Sequence, residues 1–534
     1  MKKFVLVVSI ICVAALGYSQ RWQHVFGYPN TNESFRKIEQ LYDKGYMISA
    51  SYEENRGNWL IKTDINGNML WEKFLVWDNS PIVPGTPLQD STGSIIVAGS
   101  VWINNTNNWP IINKIDSCGN PLWCRVFVDN AYDYAFFKDA ILLENQDILA
   151  LAHHEETGMG DTNSVFLYYI TSDGDLLWKK PYGSKTIHPL INEPSCEDVF
   201  EFNGEYYISG YCYYAYPDNP QHVYLRAFFA GIDSLFNEKW ILPFAMNDTI
   251  IGEAKSIVQL NDSVFMGVGI SYFPEGSGTS LYPNSFLMFF NKDGEQLGYN
   301  NITNSQIGHD IQSNYIVDIT RINDTLFLAS TRYGPGYADP NPFGEFVIDT
   351  SGQIYNLQSR PNTFGTSQLI KTYDSKYVIG VGYHSTQGDQ DFMLYKINEN
   401  LEQDTVYHGT YNYDSLCSSG IESGVIDITD CLVIVGTDET PNPAEYYAGL
   451  ANIPITAYPN PATNSITFAL GNTEQHSDIV LSCYDAYGRK VHGEIIYPMQ
   501  TQTTINITKW NAGMYVTMVT SNGKTVGQCR FVIR

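Results

Sequence analysis

Along most of the chain, runs with every residue or every second residue apolar alternate with polar segments rich in Asn, Asp, Gly and Ser, and one phrase keeps returning. It reads GYMISAS from Gly45, SIIVAGS from Ser94, DILALAH from Asp147, EYYISGY from Glu205, SVFMGVG from Ser263, TLFLAST from Thr325, KYVIGVG from Lys376 and CLVIVGT from Cys431, at intervals of 49 to 62 residues. A turn pair such as Asp43-Lys44, Asn203-Gly204, Asn261-Asp262 or Asn323-Asp324 precedes the copies, and an alternating run such as FRKIEQL or YIVDITRI precedes the turn. Two such residues between alternating runs predict a tight hairpin. After each copy come a variable polar loop, a third strand and a further turn, and four strands in roughly 50 residues is the unit of a β-propeller blade.

The turn after the third strand reads Asp64-Ile-Asn-Gly67, Asp116-Ser-Cys-Gly119, Thr171-Ser-Asp-Gly174, Asn291-Lys-Asp-Gly294 and Asp349-Thr-Ser-Gly352. Four residues beyond the glycine stands Trp71, Trp123 or Trp178, and Trp240 follows Asp233 by seven residues, the offset that separates Asp64 from Trp71. The arrangement resembles, in loose spelling, the Asp-box of sialidase-type propellers. What that resemblance implies is a capped hairpin between the third and fourth strands with an aromatic residue packed beneath the next blade, a folding device away from the mouth. Burial of each such side chain is worth roughly 1.5–3 kcal/mol, and glycine supplies the positive φ of the turn.

The eighth copy lacks a tryptophan-bearing fourth strand, whereas RWQHVFG from Arg21 reads like LWEKFL and LWCRVF. The N-terminal strand is therefore expected to complete the last blade and leave no open edge. This reading favours eight blades, with seven as the count if the weakly spelled repeats near Tyr299 or Tyr355 are insertions.

Lys2 and Lys3 precede an apolar run from Phe4 to Gly17, followed by Tyr18 and Ser19, which predicts a secretory signal peptide over 1–19. That run is too short to span a bilayer, and no later one is long enough for a transmembrane segment. Eight cysteines then remain in an exported chain, so disulfides are expected. Cys196 and Cys212 lie symmetrically about residue 204 and are expected to pair across a hairpin. Cys118 with Cys124 and Cys417 with Cys431 are weaker pairings of the same kind. Composition agrees with an all-β protein: charged residues are only 16% of the chain and aromatics 14%, with 38 Tyr. The formal charge of −26 argues against a nucleic-acid partner.

Near Ile455 the character changes. Residues 455–534 hold six Lys+Arg and four Asp+Glu, so the whole acidic excess falls on 20–454. The tail opens with YPNPATNSITF from Tyr458, continues with LSCYDAYGRKV and ends with NAGMYVTMVTSNGKTVGQCRFVIR. By the residues alone it is a small Ig-like β-sandwich of alternating strands. It resembles the type A C-terminal sorting domain of the type IX secretion system of Bacteroidetes-type bacteria. The landmarks are Pro459, Asn460 and Pro461 at the opening, Gly488 in the Asp485 to Gly488 turn, Gly513 and Tyr515 in the Ala512 to Tyr515 strand, and Gly523 with Lys524 in the last hairpin. The resemblance implies a partner in the type IX secretion machinery and an extracellular or outer-surface destination. Cys483 and Cys529 lie on two expected sandwich strands and look like a local staple.

Domains are thus expected at 1–19, 20–454 and 455–534. Loops joining second to third strands gather at one face of a propeller, and here they are long and tyrosine-rich. Tyr213, Tyr214, Tyr216, Tyr272, Tyr282, Tyr333 and Tyr337 offer flat apolar faces with hydroxyls, the chemistry of sugar or peptide docking. His153, His154, Glu155 and Glu156 form a dense cluster, but neighbours on a strand point to opposite sides, so no metal and no cofactor is expected. A sialidase-like enzyme needs three converging arginines. Arg36 and Arg321 fall on innermost strands and Arg332 on a mouth loop, but the family's arginine motif is absent. The reading is an exported binding or adhesion module for glycan or protein, the alternative being a carbohydrate-active enzyme on the same scaffold.

Overall fold

The computed structural model describes residues 20–435 and 455–534 apart from short internal segments. Those include 54–56, 104–106, 157–161, 217–218, 245–250, 275–280, 335–341 and 386–388 in the first stretch and 472–478, 486–489, 497–499 and 522–523 in the second. The expected leader, 1–19, lies outside the described residues. Two compact units divide the chain, 1–440 and 441–534.

In the first unit, seven of the eight recurring phrases become the second strand of a four-stranded antiparallel sheet, and the sheets form seven propeller blades. Blades 1 to 6 run over residues 34–76, 82–128, 134–182, 191–244, 251–302 and 313–360. Blade 7 takes Thr363–Lys371, Tyr377–His384 and Gln390–Ile397, and its fourth strand is Gln23–Phe26, antiparallel to Gln390–Ile397. The N-terminal strand therefore closes the ring, as the alternation of RWQHVFG implied. One parallel bridge, Tyr134 to Asn108, joins the sheets of blades 2 and 3.

The core is divided in the same way, into one apolar cluster between each pair of neighbouring blades. Trp22, Phe26, Phe35, Trp59 and Phe392 fill the junction of blades 7 and 1. Six further clusters fill the other junctions. Each blade is apolar on both faces, which accounts for the continuous apolar runs in the second and third strands. Three tryptophans at or beside fourth strands donate to the turn of the following blade. Trp22 Nε1 donates to Ile65 O at 2.8 Å, Trp123 Nε1 to Ser172 O at 3.2 Å and Trp240 Nε1 to Lys292 O at 2.9 Å. The Asp64 carboxylate accepts from the backbone of Asn66 and Asn68, both at 2.8 Å, and Asp116, Asp233 and Asp349 cap their turns alike. Gly174 has φ +87° and lies directly under the Trp123 ring, where a Cβ would come within 2.9 Å.

The eighth phrase is not a blade. After Ile397 the chain runs along the outside of the ring as a strap. Gly424–Asp427 pairs in parallel with Met69–Val76, and Leu432–Val435 pairs in parallel with Pro121–Val128. Each adds a fifth strand to the outer edge of blade 1 or 2, and Ile426 and Ile428 enter the core between those blades. An apolar strand phrase says nothing about whether it pairs inside a blade or along its edge, which is why eight blades were expected and seven are found.

The cysteines follow the strap. Cys118 bonds Cys417 and Cys124 bonds Cys431, with Cα–Cα distances of 5.0 and 4.9 Å. The expected pairings of Cys118 with Cys124 and of Cys417 with Cys431 are replaced by two bridges that tie the strap to blade 2. Cys196 and Cys212 are free thiols buried in the core of blades 3 and 4, which corrects the proposed disulfide. The hairpin turns between Asn203 and Gly204, which offsets the two cysteines by one residue, and a register shift between Cys196 and Asp198 adds a second, so Cys196 lies opposite Gly210.

The second unit is a small β-sandwich. A three-stranded sheet, Ile455–Tyr458, Ser465–Leu470 and Gln502–Asn506, accompanies a four-stranded one ordered Lys490–Ile496, Ile479–Asp485, Gly513–Ser521 and Lys524–Ile533. Phe468, Leu481, Tyr515, Val519 and Phe531 fill it. Asn460 accepts from Val532 N at 2.9 Å, so the Pro459-Asn460-Pro461 opening is held against the final strand, and Tyr515 stacks on Phe531. Cys483 and Cys529 are not a staple: both are free and face Thr517 from opposite sides, with the strand Gly513–Ser521 between them.

Removing residues 20–27 takes Trp22 and Phe26 from the blade 7–1 core, each worth about 1.5–3 kcal/mol, and leaves an open edge. The expected result is a melting temperature lower by roughly 10 °C or more, and an unchanged value would show that the ring closes without this strand. The bridges make a second test. Replacing Cys417 and Cys431 together by serine should cost about 2–5 kcal/mol. Either replacement alone should cost much less, because the remaining bridge closes nearly the same loop. Equal losses for one and both would contradict this.

Candidate functional site

The innermost strands of the seven blades are Ser34–Gln40, Ile82–Gln89, Tyr134–Leu142, Ile191–Phe202, Ile251–Asn261, Ser313–Arg321 and Thr363–Lys371. Each slips in register against its second strand at a matching place. The slips fall at Phe35/Lys37, Val83/Thr86, Phe137/Asp139, Cys196/Asp198, Ala254/Ser256, Ile316/Asp318 and Phe364/Ser367. A bulge adds a residue to one strand and re-aims its side chain. Here the inserted residues include Arg36, Lys138, Glu197 and Lys255, and all four line a cavity of about 730 Å³ on the propeller axis. The residues after the slips are polar in every blade: Lys37, Thr86, Asp139, Asp198, Ser256, Asp318 and Ser367. Phe136, Tyr272, Tyr315 and Gln368 complete the polar and aromatic wall.

Two charge clusters order this wall. In the first, Glu197 sits between Lys138 at 2.7 Å and Lys255 at 2.8 Å, and Lys255 also reaches Glu253 at 3.0 Å. Burial pushes the Glu197 carboxyl up, but the two ammonium groups outweigh it and hold the group down at about 2. In the second, Asp139 accepts from Thr86 Oγ1 at 2.7 Å and pairs with Lys37 at 3.4 Å. Burial raises both Asp139 and its neighbour Asp198. Lys37 and a hydrogen bond from Asp198 bring Asp139 below its usual range, while the Asp139 charge drives Asp198 well above its own. The two carboxyls therefore titrate as a pair, with the proton favoured on the Asp198 side. Asp318 is raised by burial, although Leu369 N and Ile319 N each donate to it at 2.8 Å. Such contacts also stitch blades together: Gln368 of blade 7 accepts from Ile38 N of blade 1 at 2.6 Å.

Arg36 differs from the other lining cations. Its Nε is buried without a hydrogen-bond partner, and among the described residues no carboxylate stands within ion-pair distance. Burial lowers its pKa. Nearby, Phe136 contacts the Tyr134 ring at 5.5 Å and the His153 ring at 5.2 Å. Burial and the Lys138 charge lower His153 to about 4, so it is neutral at physiological pH.

Of the tyrosines singled out in the sequence, Tyr272 lines the cavity. Tyr213 is exposed on the second strand of blade 4, and Tyr214 is half-buried against the core of blades 3 and 4. Tyr333 is buried against Phe346. Tyr216 and Tyr282 fall on the strands Glu205–Tyr216 and Leu281–Asn291, and Tyr337 lies outside the described residues. The three arginines do not converge. Arg321 pairs with Asp324 at the far end of its strand, and Arg332 lies on the strand Leu326–Gly334 against the Tyr315 and Phe343 rings. His153 packs on Phe136, while His154 packs on Tyr132 and Phe166. In the tail, Pro459, Asn460 and Pro461 are exposed, Gly513 opens a strand, Lys524 opens the last one, and Gly488 and Gly523 lie outside the described residues.

The signal for the axial residues was present. Arg36-Lys37, Lys138-Asp139, Glu197-Asp198 and Lys255-Ser256 are polar doublets inside otherwise alternating strands, and such a doublet is what a bulge facing water or ligand leaves in a sequence.

Residues 456–534 match the family described as a secretion system C-terminal sorting domain. No curated protein matches the chain. Among solved structures, a polysaccharide lyase family 25 ulvan lyase aligns at 10% identity and TM-score 0.46, over 71% of this chain and 96% of its own. The α-L-arabinofuranosidase Arb93A of Fusarium graminearum aligns at 10% identity and TM-score 0.37, over 60% and 94%. A protein of unknown function from Dyadobacter fermentans DSM 18053 aligns at 11% identity and TM-score 0.40, over 59% and 94%.

Glu39 follows Lys37 on the same innermost strand, and burial together with the Asp139 charge raises its carboxyl from 4.5 to about 7. The folded state therefore binds this proton more tightly than the unfolded one, so its contribution is favourable in acid and is lost as pH rises from 4.5 through 7. Glu39→Gln is expected to raise stability at pH 8 by on the order of 1 kcal/mol or more, with the gain disappearing below pH 4.5. Thermal melts across this range would refute the assignment if the gain did not depend on pH.

Proposed function

Since the chain ends in a C-terminal sorting domain of the type IX secretion system, which carries its cargo to the outer surface or the extracellular space, we propose that the propeller serves there as a binding module. Its axial cavity holds a small polar ligand, a glycan in preference to a protein. The observation behind this reading is the cavity itself, about 730 Å³ and walled by bulge residues of the innermost strands. Its size suits one or a few sugar residues. Flat rings at Phe136, Tyr272 and Tyr315 stand among groups able to bond hydroxyls, such as Gln368, Ser256 and Ser367. Lys138, Glu197 and Lys255 are held by one another, so the wall is ordered before a ligand arrives and little is lost on binding. A folded protein partner would find this chemistry recessed on the axis, where only a slender chain reaches it.

One observation favours a second reading, an enzyme acting on carbohydrate. Asp198 lines the cavity, and burial together with the Asp139 charge raises its carboxyl well above the usual range, the kind of shift a general acid needs.

The test is a glycan panel read for both binding and product, using the full chain and a Ser367→Trp variant that fills the cavity. Saturable binding without new reducing ends, weakened at least about tenfold by the variant, is expected. Product release would favour the enzyme. Binding that Ser367→Trp leaves unchanged would place the ligand elsewhere and end the axial reading.

A further inference from the structure

Among the charged groups lining the axial cavity, cations outnumber carboxylates, in a chain whose net charge is −26. All but one of those cations have partners: Lys37 has Asp139, Lys138 has Glu197, and Lys255 has Glu197 and Glu253. Among the described residues Arg36 has no carboxylate partner, its one electrostatic neighbour being the Tyr134 phenol, and its Nε is shielded from solvent with no acceptor. Blade 2, the neighbour of blade 1, presents Val83, Pro84 and Gly85 to the cavity, none of which has a side chain able to accept from a guanidinium. Leaving a charge partly desolvated and unpaired is costly, and the cost is recovered when an anion arrives. The guanidinium fork matches a carboxylate in two parallel hydrogen bonds, which an ammonium does not.

We infer that the cavity takes a sugar bearing a carboxylate, a uronate-type residue, with the carboxylate seated on Arg36. The inference rests on the reading of the cavity as a glycan site and specifies its ligand class. Phe136, also in the cavity wall, packs on Tyr134, whose phenol is close enough to feel the Arg36 charge, and supplies an apolar face against which a sugar ring packs while its acid group reaches the guanidinium. Ser256, across the cavity on blade 5, and Ser367 and Gln368, on blade 7 next to Arg36, are left for hydroxyls.

The experiment is calorimetric titration of the full chain with trigalacturonate and with a neutral trisaccharide, xylotriose, repeated on Arg36→Gln and Arg36→Lys. Trigalacturonate should bind saturably and at least about tenfold tighter than xylotriose. Arg36→Gln should weaken it by on the order of 30-fold or more and abolish the preference for the acid, and Arg36→Lys should fall between. Because the substitution removes a partly desolvated charge with no carboxylate partner among the described residues, the ligand-free Arg36→Gln protein should melt no lower than the parent. Equal affinity for both probes, or full retention of the acid preference in Arg36→Gln, would overturn the carboxylate assignment and leave the glycan site standing. Binding of neither probe would overturn the inference, and the glycan reading falls with it only if the whole panel is also negative. Should Arg36→Gln fail to fold, the comparison of the two probes on the parent chain still decides.

Discussion

A blade with two apolar faces is stable only between two others, so everything in the first unit depends on the contact from one blade to the next. At three of the seven junctions the chain makes that contact with one repeated device. An outer-strand tryptophan lies over the glycine turn of the following blade and donates its indole N–H to a turn carbonyl, as Trp22, Trp123 and Trp240 do. The turn is rigid because its first side chain caps its own backbone, in Asp64 and Asp116 as in Asn398 of blade 7. Trp22 makes this contact across the seam of the ring, which is why eight N-terminal residues carry weight beyond their number.

The same periodic geometry builds the cavity. A bulge at one level of each innermost strand is a small irregularity in a single blade, but seven of them at one height form two tiers of side chains around the axis. Where blades place charges there, the charges meet across blades: Lys37 of blade 1 with Asp139 of blade 3, and Glu197 of blade 4 with Lys138 of blade 3 and Lys255 of blade 5. These contacts join blades and prepare a polar wall at once. Among the described residues only Arg36 of the lining cations has no carboxylate partner on another blade.

The strap and its two bridges extend the ring's logic outward. Parallel strands at 424–427 and 432–435 cover the outer edges of blades 1 and 2, where a bare edge invites association with another chain. Trp71, the blade 1 counterpart of the latching tryptophans, donates to Asp414 of the strap. The strap thus takes the place that a neighbouring turn holds elsewhere. In an oxidising environment the bridges keep this cover in place.

Local physics was enough to reveal the repeats, the four-strand unit, the closing N-terminal strand and the tail. Alternation, turn chemistry and the spacing of Trp from its turn are properties of a few neighbouring residues. What escaped was whatever depended on a distant partner. CLVIVGT has the spelling of a blade strand, and only the availability of an open edge on blade 2 decided that it pairs there in parallel. Cys196 and Cys212 looked symmetric about residue 204, but the hairpin turns between Asn203 and Gly204 and a bulge moves the register one residue further, while Cys118 and Cys417, 299 residues apart, became neighbours only through the strap. The tyrosine-rich loops drew attention because composition is visible in sequence. The axial side chains are single residues scattered over seven strands, and their convergence exists only once the ring has closed.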